Sequence, residues 1–282
     1  MAVELLPAPP RRRRRRPAAF YVGAALVGAM ALVAVFAPWV SPHGYADQDL
    51  LRSLQPPAWL RGGDWAYPLG TDRLGRDLLV RLMVGARVSI AVALLSVLLG
   101  GGLGTTLGLA AGYFGRRVDR IISRAIDIQL SFPPVFIAIA IMAALGQSLA
   151  KLILVLAFVS WVQYARIARA NTLAVREREF VLAARALGAV EGRVVLRHVL
   201  PSILPPLFVV GAVNMSNVIL AEAALSFLGL GVQPPTPAWG SMISEGRAVQ
   251  SLAWWNTVFP GLAIATLVAG ANLLSDGLQR TE

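Results

Sequence analysis

The sequence predicts an all-α membrane protein with about six transmembrane helices. Of its 282 residues, 56% are hydrophobic and only 15% are charged, whereas soluble domains average roughly 25% charged residues. The arginines also fall in blocks between long apolar runs, as they do in the cytoplasmic loops of membrane proteins. This clustering argues against a nucleic-acid-binding protein, in spite of the net charge of +11.

Six apolar runs approach the roughly 20 residues that a helix needs to cross the hydrocarbon core. The third run is interrupted by Arg124, Asp127 and Pro133-Pro134, and the fourth is short. The first run is longer than a signal-peptide core and no small-residue cleavage site follows it, so we expect a retained helix. The predicted spans are Ala18–Val40, Val88–Gly112, Ile121–Leu145, Leu149–Tyr164, Leu204–Leu225 and Trp254–Leu274.

Three arginine blocks predict the orientation of these spans. They lie at residues 11–16, 116–124 and 169–197, and six spans place all three on one side of the membrane. Because positive charge favours the cytoplasmic side, we expect both termini in the cytoplasm and residues 42–81 and 226–253 outside. The hexa-arginine run is also expected to contact anionic membrane lipid.

A glycine repeat in the second span predicts close helix packing. Gly100, Gly104, Gly108 and Gly112 recur at four-residue intervals and so share one helix face. The repeat is not a phosphate-binding loop, because that motif needs Gly-Lys-Ser/Thr and the one lysine of the chain, Lys151, follows an alanine. We therefore expect no nucleotide or other cofactor to be bound by this chain.

Polar side chains are few within the spans, and buried ionisable groups in membranes are candidates for function. Asn214, Asn217 and Glu222 are candidates for a pathway or gate. Glu222 could line a translocation path or reach the interface, and both alternatives stay open. Asp127 is expected to pair with Arg124 or Arg120. The two histidines, His43 and His198, fall on opposite sides of the membrane, so no metal or catalytic site is predicted.

The segment from Arg169 to Pro201 is basic and patterned for short helices. Phe180, Ala183, Ala184 and Leu187 follow helical spacing and form one apolar stripe. Gly188 is expected to end or bend this helix, and a second piece covers residues 191–200. The stripe could lie on lipid headgroups or dock in the groove of a soluble partner.

Residues 182–201 resemble the cytoplasmic coupling loop of ABC importer permeases, which has the pattern E-A-A-x3-G-x9-I-x-L-P. Ala183, Ala184, Gly188, Leu200 and Pro201 match the pattern, whereas Leu182 and His198 replace its Glu and Ile. Further blocks look like the second permease subunit of dipeptide, oligopeptide and nickel importers. They are YPLGTDRLGRDLLVRLMVGARVSI (67–90), REREFVLAARALGA (176–189), EAALSFLGLGVQPPTPAWGSMI (222–243) and NLLSDGL (272–278).

The resemblance implies an ABC type-1 importer permease in a bacterial or archaeal plasma membrane. Its implied partners are a homologous second permease, two ATPase subunits that bind ATP-Mg, and an extracytoplasmic solute-binding protein. The coupling loop would span about residues 165–203 within a transmembrane domain of residues 86–277, preceded by a tail, helix and outer loop in residues 1–85. The residues assigned to ATPase coupling are Glu179, Phe180, Ala183, Ala184, Arg185, Leu187, Gly188, Leu200 and Pro201.

The cargo stays open between peptides, nickel chelates and glutathione, and the lack of histidine in the spans slightly favours peptides. An ATP-independent secondary transporter is the alternative class, but no internal repeat supports it. The outer segments 70–77 and 231–240 could contact the binding protein or shape a gate. They could equally be turns and helix caps.

Overall fold

The computed structural model describes residues 18–40 and 43–279, so the hexa-arginine run lies outside the described residues. Within this part the chain is helical, with one isolated β-bridge between Thr71 and Asp77. A 3-10 turn covers Leu50–Arg52 and a π-helical turn covers Val195–Val199. The α-helices are α1 (Ala18–Val40), α2 (Leu78–Phe114), α3 (Arg116–Leu130), α4 (Pro134–Leu145), α5 (Leu149–Val175), α6 (Glu179–Ala186), α7 (Glu191–Val194), α8 (Leu200–Phe227), α9 (Trp239–Arg247) and α10 (Trp255–Gln279).

Five of the described helices are long and apolar enough to cross a membrane: α1, α2, α5, the helix that ends with α8, and α10. The predicted third span is wrong as a single helix, because α3 and α4 meet at an angle of 86°. Pro133 and Pro134 explain the break, since proline has no backbone N–H and disfavours helix in the residue before it. Counting the bent pair as one span gives six.

The fourth predicted span and the predicted coupling loop also need correction. α5 continues to Val175, well beyond Tyr164, because Ala165, Ala168 and Thr172 extend its buried face along α2. Leu200 and Pro201 belong to the first turn of α8. The loop predicted at about 165–203 is therefore shorter at both ends, and residues 176–199 lie between α5 and α8.

The long helices give the molecule two ends, which we name after the short helix at each. The α6 end contains the end of α2, the start of α3 and residues 176–199. The α9 end contains residues 43–77, the start of α2 and α9. α1 runs antiparallel to α10, since Gly23 lies against the backbone of Leu274 and Gly277 against Phe20. Residues 18 and 279 consequently both lie at the α6 end.

Candidate functional site

α6 and α7 form a bent pair whose corner is Gly188. At Gly188 φ is +79°, a backbone conformation that glycine adopts with little cost. Leu187 N–H donates to Ala183 C=O (3.0 Å) and Ala189 N–H donates to Ala184 C=O (3.1 Å), so the end of α6 is closed by backbone hydrogen bonds. A Cβ at residue 188 would meet no atom within 4 Å. The glycine is therefore needed for the turn and not for space inside this chain.

The apolar side chains of α6 point in two directions. Val181 is fully buried and packs with Val194 and Val199 against the ends of α5 and α8. Phe180 and Leu187 point outwards and are 42% and 88% exposed. The predicted single stripe is therefore divided. Ala184 packs towards the core, while Phe180, Ala183 and Leu187 leave an apolar surface uncovered. Leu182 and Val190 extend this exposed surface.

The exposed surface is held in place by a clamp at the end of α2, which sequence reasoning missed. The Arg185 guanidinium lies 4.9 Å from the centroid of the Tyr113 ring. The Tyr113 hydroxyl donates to the Glu191 carboxylate, and Arg176 Nη1 donates to the carbonyl of Gly112 (2.8 Å). Arg185, predicted as a rim contact for a partner, thus also binds the segment to its own chain. Glu179 remains exposed at the start of α6.

The four predicted packing glycines of α2 all lie against α5. A Cβ would stand 2.2 Å from the Trp161 carbonyl oxygen at Gly104 and 2.3 Å from the Ala165 carbonyl oxygen at Gly108. At Gly100 it would stand 2.6 Å from the Ala157 carbonyl oxygen, and at Gly112 it would stand 2.7 Å from the Thr172 Cβ. The backbones of the two helices are therefore in direct contact, an approach that any side chain would prevent.

The predicted pathway residues separate into two environments. Asn214, buried, and Asn217, exposed, line a groove bounded by α4, α5 and α8, together with Ser160 and Gln163. Glu222 lies elsewhere and is 1% exposed.

The carboxylate of Glu222 accepts hydrogen bonds from Ser89 Oγ of α2 (3.0 Å) and Ser226 Oγ (2.7 Å). It does not line that groove and does not reach the surface of this chain, so the alternative of an interfacial side chain is not supported, and its place on a translocation path stays a prediction. It joins α2 to α8 instead. Asp127 also departs from expectation, because within the described residues it forms no ion pair with Arg120 or Arg124.

The outer segment 70–77 contains turn and cap residues. Asp77 accepts hydrogen bonds from the N–H groups of Leu79 (2.9 Å) and Val80 (3.4 Å), and so caps α2. Asp72 accepts from the N–H groups of Leu74 (2.8 Å) and Arg76 (3.0 Å). These contacts favour the structural alternative for this segment.

In the second outer segment, 231–240, Trp239 packs on Gly85 and its indole N–H donates to the carbonyl of Leu82 (3.0 Å). An ion-pair cluster with three buried members, not foreseen from the sequence, joins residues 72–81 to α9. Arg76 pairs with Asp72 (2.6 Å) and with Glu245 of α9 (2.9 Å), and Arg81 pairs with Glu245 (3.1 Å).

Known proteins share most of this chain. The family described as "Binding-protein-dependent transport system inner membrane component" matches residues 104–281. The family described as "N-terminal TM domain of oligopeptide transport permease C" matches residues 11–57.

Among curated proteins, the dipeptide transport system permease protein DppC of Escherichia coli K12 is 45% identical over 258 residues, covering 92% of this chain and 86% of the relative. The di/tripeptide transport system permease protein DppC of Pseudomonas aeruginosa is 44% identical, covering 87% of this chain and 81% of the relative. The glutathione transport system permease protein GsiD of Shigella flexneri is 41% identical, covering 88% of this chain and 80% of the relative.

Among solved structures, an inward-facing conformation of the MetNI methionine ABC transporter aligns with a TM-score of 0.57. The alignment covers 72% of this chain and 96% of that chain at 18% identity, which shows a shared fold.

Proposed function

The chain belongs to the family of binding-protein-dependent inner-membrane transport components, of the dipeptide and oligopeptide type, and on this premise we propose that it carries di- and oligopeptides into the cell. In this family the permease is a transport subunit and not an enzyme, and ATP is used by partner ATPases. Membership of this family also excludes the alternative of an ATP-independent secondary transporter. The peptide cargo is supported by the names of the relatives at 45% and 44% identity.

The observation that carries the coupling role is the division of α6 into an anchored face and an open face. Val181, Arg185 and the Tyr113–Glu191 contact fix the helix to the bundle. Phe180 and Leu187 stay exposed on the opposite side. A rigid apolar projection of this kind fits a groove on a soluble protein. We assign it to the ATPase subunit, which would receive α6 and the corner at Gly188.

The other partners follow from the same assignment. A homologous second permease would complete the pathway, two ATPase chains would bind ATP-Mg at the α6 end, and a solute-binding protein would deliver cargo at the α9 end. This arrangement places the α6 end and both termini in the cytoplasm of a bacterial cell. The arginine blocks support this orientation, because residues 116–124 and 169–197 belong to the α6 end.

Glutathione is the second candidate cargo, favoured by the 41% identity to the glutathione permease GsiD. Glutathione is itself a small peptide, so both candidates belong to one chemical class. Uptake of labelled dipeptide, tripeptide and glutathione by the reconstituted complex, in competition, would rank them.

A sidedness experiment tests the proposed orientation. The chain contains no cysteine, so one introduced cysteine is a unique label. Leu187, 88% exposed at the α6 end, and Leu51, 98% exposed at the α9 end, offer a matched pair. In cells with an opened outer membrane, a membrane-impermeant maleimide should label L51C at once and L187C only after the inner membrane is permeabilised. Labelling of L187C at once, with L51C labelled only after permeabilisation, would refute the proposed orientation.

The same L187C variant tests the partner. In membranes that contain the assembled transporter, a short bifunctional cross-linker should join it to the ATPase chain, whereas L51C should give no such product. An active complex in which L187C never reaches the ATPase would contradict the coupling role.

A further inference from the structure

Arg166 lies about two-thirds of the way along the 27 residues of α5, and no described residue forms an ion pair with it. It is about 14 Å along the helix axis from the end at Val175 and about 25 Å from the start at Leu149. Its side chain is exposed, and within the described part of the chain no carboxylate forms an ion pair with it. Arg169, one turn further along, makes a two-pronged ion pair with Asp119. Arg169 is therefore neutralised by an ion pair, whereas Arg166, one turn earlier in α5, has no such pair within residues 18–40 and 43–279.

The guanidinium of Arg166 belongs to a helix that is long and apolar enough to cross the membrane. Charged side chains in membrane helices face a protein interior or a water-filled cavity, because contact with lipid is costly. Arg166 lines two adjoining grooves of the chain. One is shared with Asn171, Val210, Val213 and Gln279 of α5, α8 and α10, and the other with Ser123 and Asp127 of α3.

The first groove continues towards the α9 end through Gln163. Gln163 also lines the groove that holds Asn214 and Asn217. A row of uncharged polar side chains therefore leads along α5 and α8 to Arg166. This row gives polar cargo hydrogen-bonding partners in a part of the molecule that is otherwise apolar.

Asp127 provides the opposite charge beside Arg166. α3 runs antiparallel to α5, since Asp119 contacts Arg169 at one level and Gln129 Nε2 donates to the Val159 carbonyl (3.0 Å) at the other. Asp127 lies between these two levels, as Arg166 does on α5, with an offset of about 7 Å along the helices that the long arginine side chain can span. It lines the groove with Arg166 but forms no ion pair with it. Among the described residues, this groove thus contains one cation, Arg166, and one anion, Asp127, that form no ion pair, together with the paired Arg169.

We propose that Arg166 and Asp127 form a transit subsite, in which Arg166 binds the carboxylate and Asp127 the ammonium group of a zwitterionic peptide. A guanidinium offers two parallel N–H donors that match a carboxylate. Both groups are exposed, so the contacts are weak, as passage requires: cargo must leave the subsite as readily as it enters. This inference rests on the proposed function, because it names where on the pathway the cargo is bound.

The test uses the complete transporter in proteoliposomes, with saturating loaded binding protein and a labelled dipeptide. The quantity measured is peptide delivered per ATP hydrolysed. Arg166→Gln should lower it about fivefold, the scale of one exposed charge contact. Arg166→Lys keeps the charge and should retain at least half of the wild-type value. Asp127→Asn should lower it about twofold.

Arg120→Gln is the matched control, because Arg120 is exposed on α3 and lines neither groove. It should leave delivery per ATP unchanged. Equal losses in Arg120→Gln and Arg166→Gln would overturn the subsite, since net charge alone would then be responsible.

Two further results would also overturn it. One is an Arg166→Gln transporter that delivers peptide as the wild type does. The other is an Arg166→Gln variant that lowers only the yield of assembled complex, which would make Arg166 an interface residue. A wild-type complex that accumulates no peptide would instead defeat the proposed function itself, so the two failures are distinguishable.

Discussion

The two ends of the molecule are stabilised in opposite ways. At the α9 end, charged groups are buried and paired within the chain: Asp72, Arg76 and Arg81 are each less than 10% exposed, and both arginines pair with Asp72 and with Glu245. At the α6 end, apolar groups are exposed, and residues 176–199 are attached by one valine cluster and a few polar contacts.

The difference identifies the α6 end as the surface that is available to bind another molecule. Buried charges need partners nearby, and the α9 end provides ion-pair partners from its own chain, although Nε and Nη1 of Arg81 are buried without a hydrogen bond within the described residues. Exposed apolar side chains on an anchored short helix gain from burial by another molecule. Perturbing the α9 end should therefore change stability, while perturbing the α6 end should change coupling to a partner.

The largest effect is expected where the two ends are joined, at the contact between α2 and α5. Gly104→Leu would place a Cβ 2.2 Å from the Trp161 carbonyl oxygen. We expect loss of folded protein, because overpacking at a backbone contact costs about 1–3 kcal/mol or more. The measurement is the monodisperse yield in detergent by size-exclusion chromatography.

Gly102→Leu is the control for this prediction. It lies on the same helix, and a Cβ there would meet no atom within 4 Å. Its yield should match the wild type. Equal yields for Gly104→Leu and Gly102→Leu would show that α2 and α5 do not pack as described.

The next effect is expected at the α9 end. Arg81→Met removes a charge-assisted hydrogen bond to Glu245 and should destabilise the protein by about 2 kcal/mol. Thermal unfolding in detergent should show a lowered Tm, while the peptide delivered per ATP stays unchanged. Arg73→Met, an exposed arginine of the same segment, should leave Tm within error. A change in coupling without a change in Tm would refute the division between the ends.

At the α6 end, Gly188→Val should have the converse effect. A side chain at φ +79° strains the corner by about 1–2 kcal/mol, although space around it is free. We expect ATP hydrolysis to continue while less peptide is delivered per ATP, with a fall in Tm no larger than that of Arg81→Met. Gly192→Val places the same residue in α7, where no atom lies within 4 Å and the backbone is helical. Normal coupling in Gly188→Val would exclude the corner from the docking surface.

The smallest effect is expected from Tyr113→Phe. The substitution removes the hydroxyl that donates to Glu191 but keeps the ring beneath Arg185. Loss of one such hydrogen bond is worth about 1 kcal/mol. Hydrogen exchange of residues 179–194 should quicken several-fold, with exchange in α9 unchanged. Slower or equal exchange at the α6 end would mean that the Tyr113 hydroxyl does not hold the segment.

The sequence predicted most of the fold because periodicity reports burial. The apolar runs located the long helices, and the spacing of Gly100 to Gly112 located the face that meets α5. The third span was predicted as one straight helix, and the 86° bend between α3 and α4 was missed although Pro133 and Pro134 marked it, since an apolar run carries no information on direction.

The candidate site was less predictable. The pattern of α6 identified its apolar residues, but the side buried by the chain itself depends on α2, which is distant in sequence. Tyr113, Glu191, Arg81 and Glu245 were missed for the same reason, because their partners lie up to 169 positions away. Likewise, the lack of an ion pair at Arg166 among the described residues could be recognised only by comparison with Arg169, which pairs with Asp119.

The length of α2 has a mechanical consequence. Its 37 residues form one continuous rod of about 55 Å, capped by Asp77 where it meets the ion-pair cluster and ending beside Tyr113 where it meets the clamp. A lever of that length turns each degree of tilt into about 1 Å of travel at its far tip. A displacement of α6 by about 1 Å, less than the length of a carbon–carbon bond, is therefore as large as the displacement that a one-degree tilt of α2 produces at its other end, near Trp239.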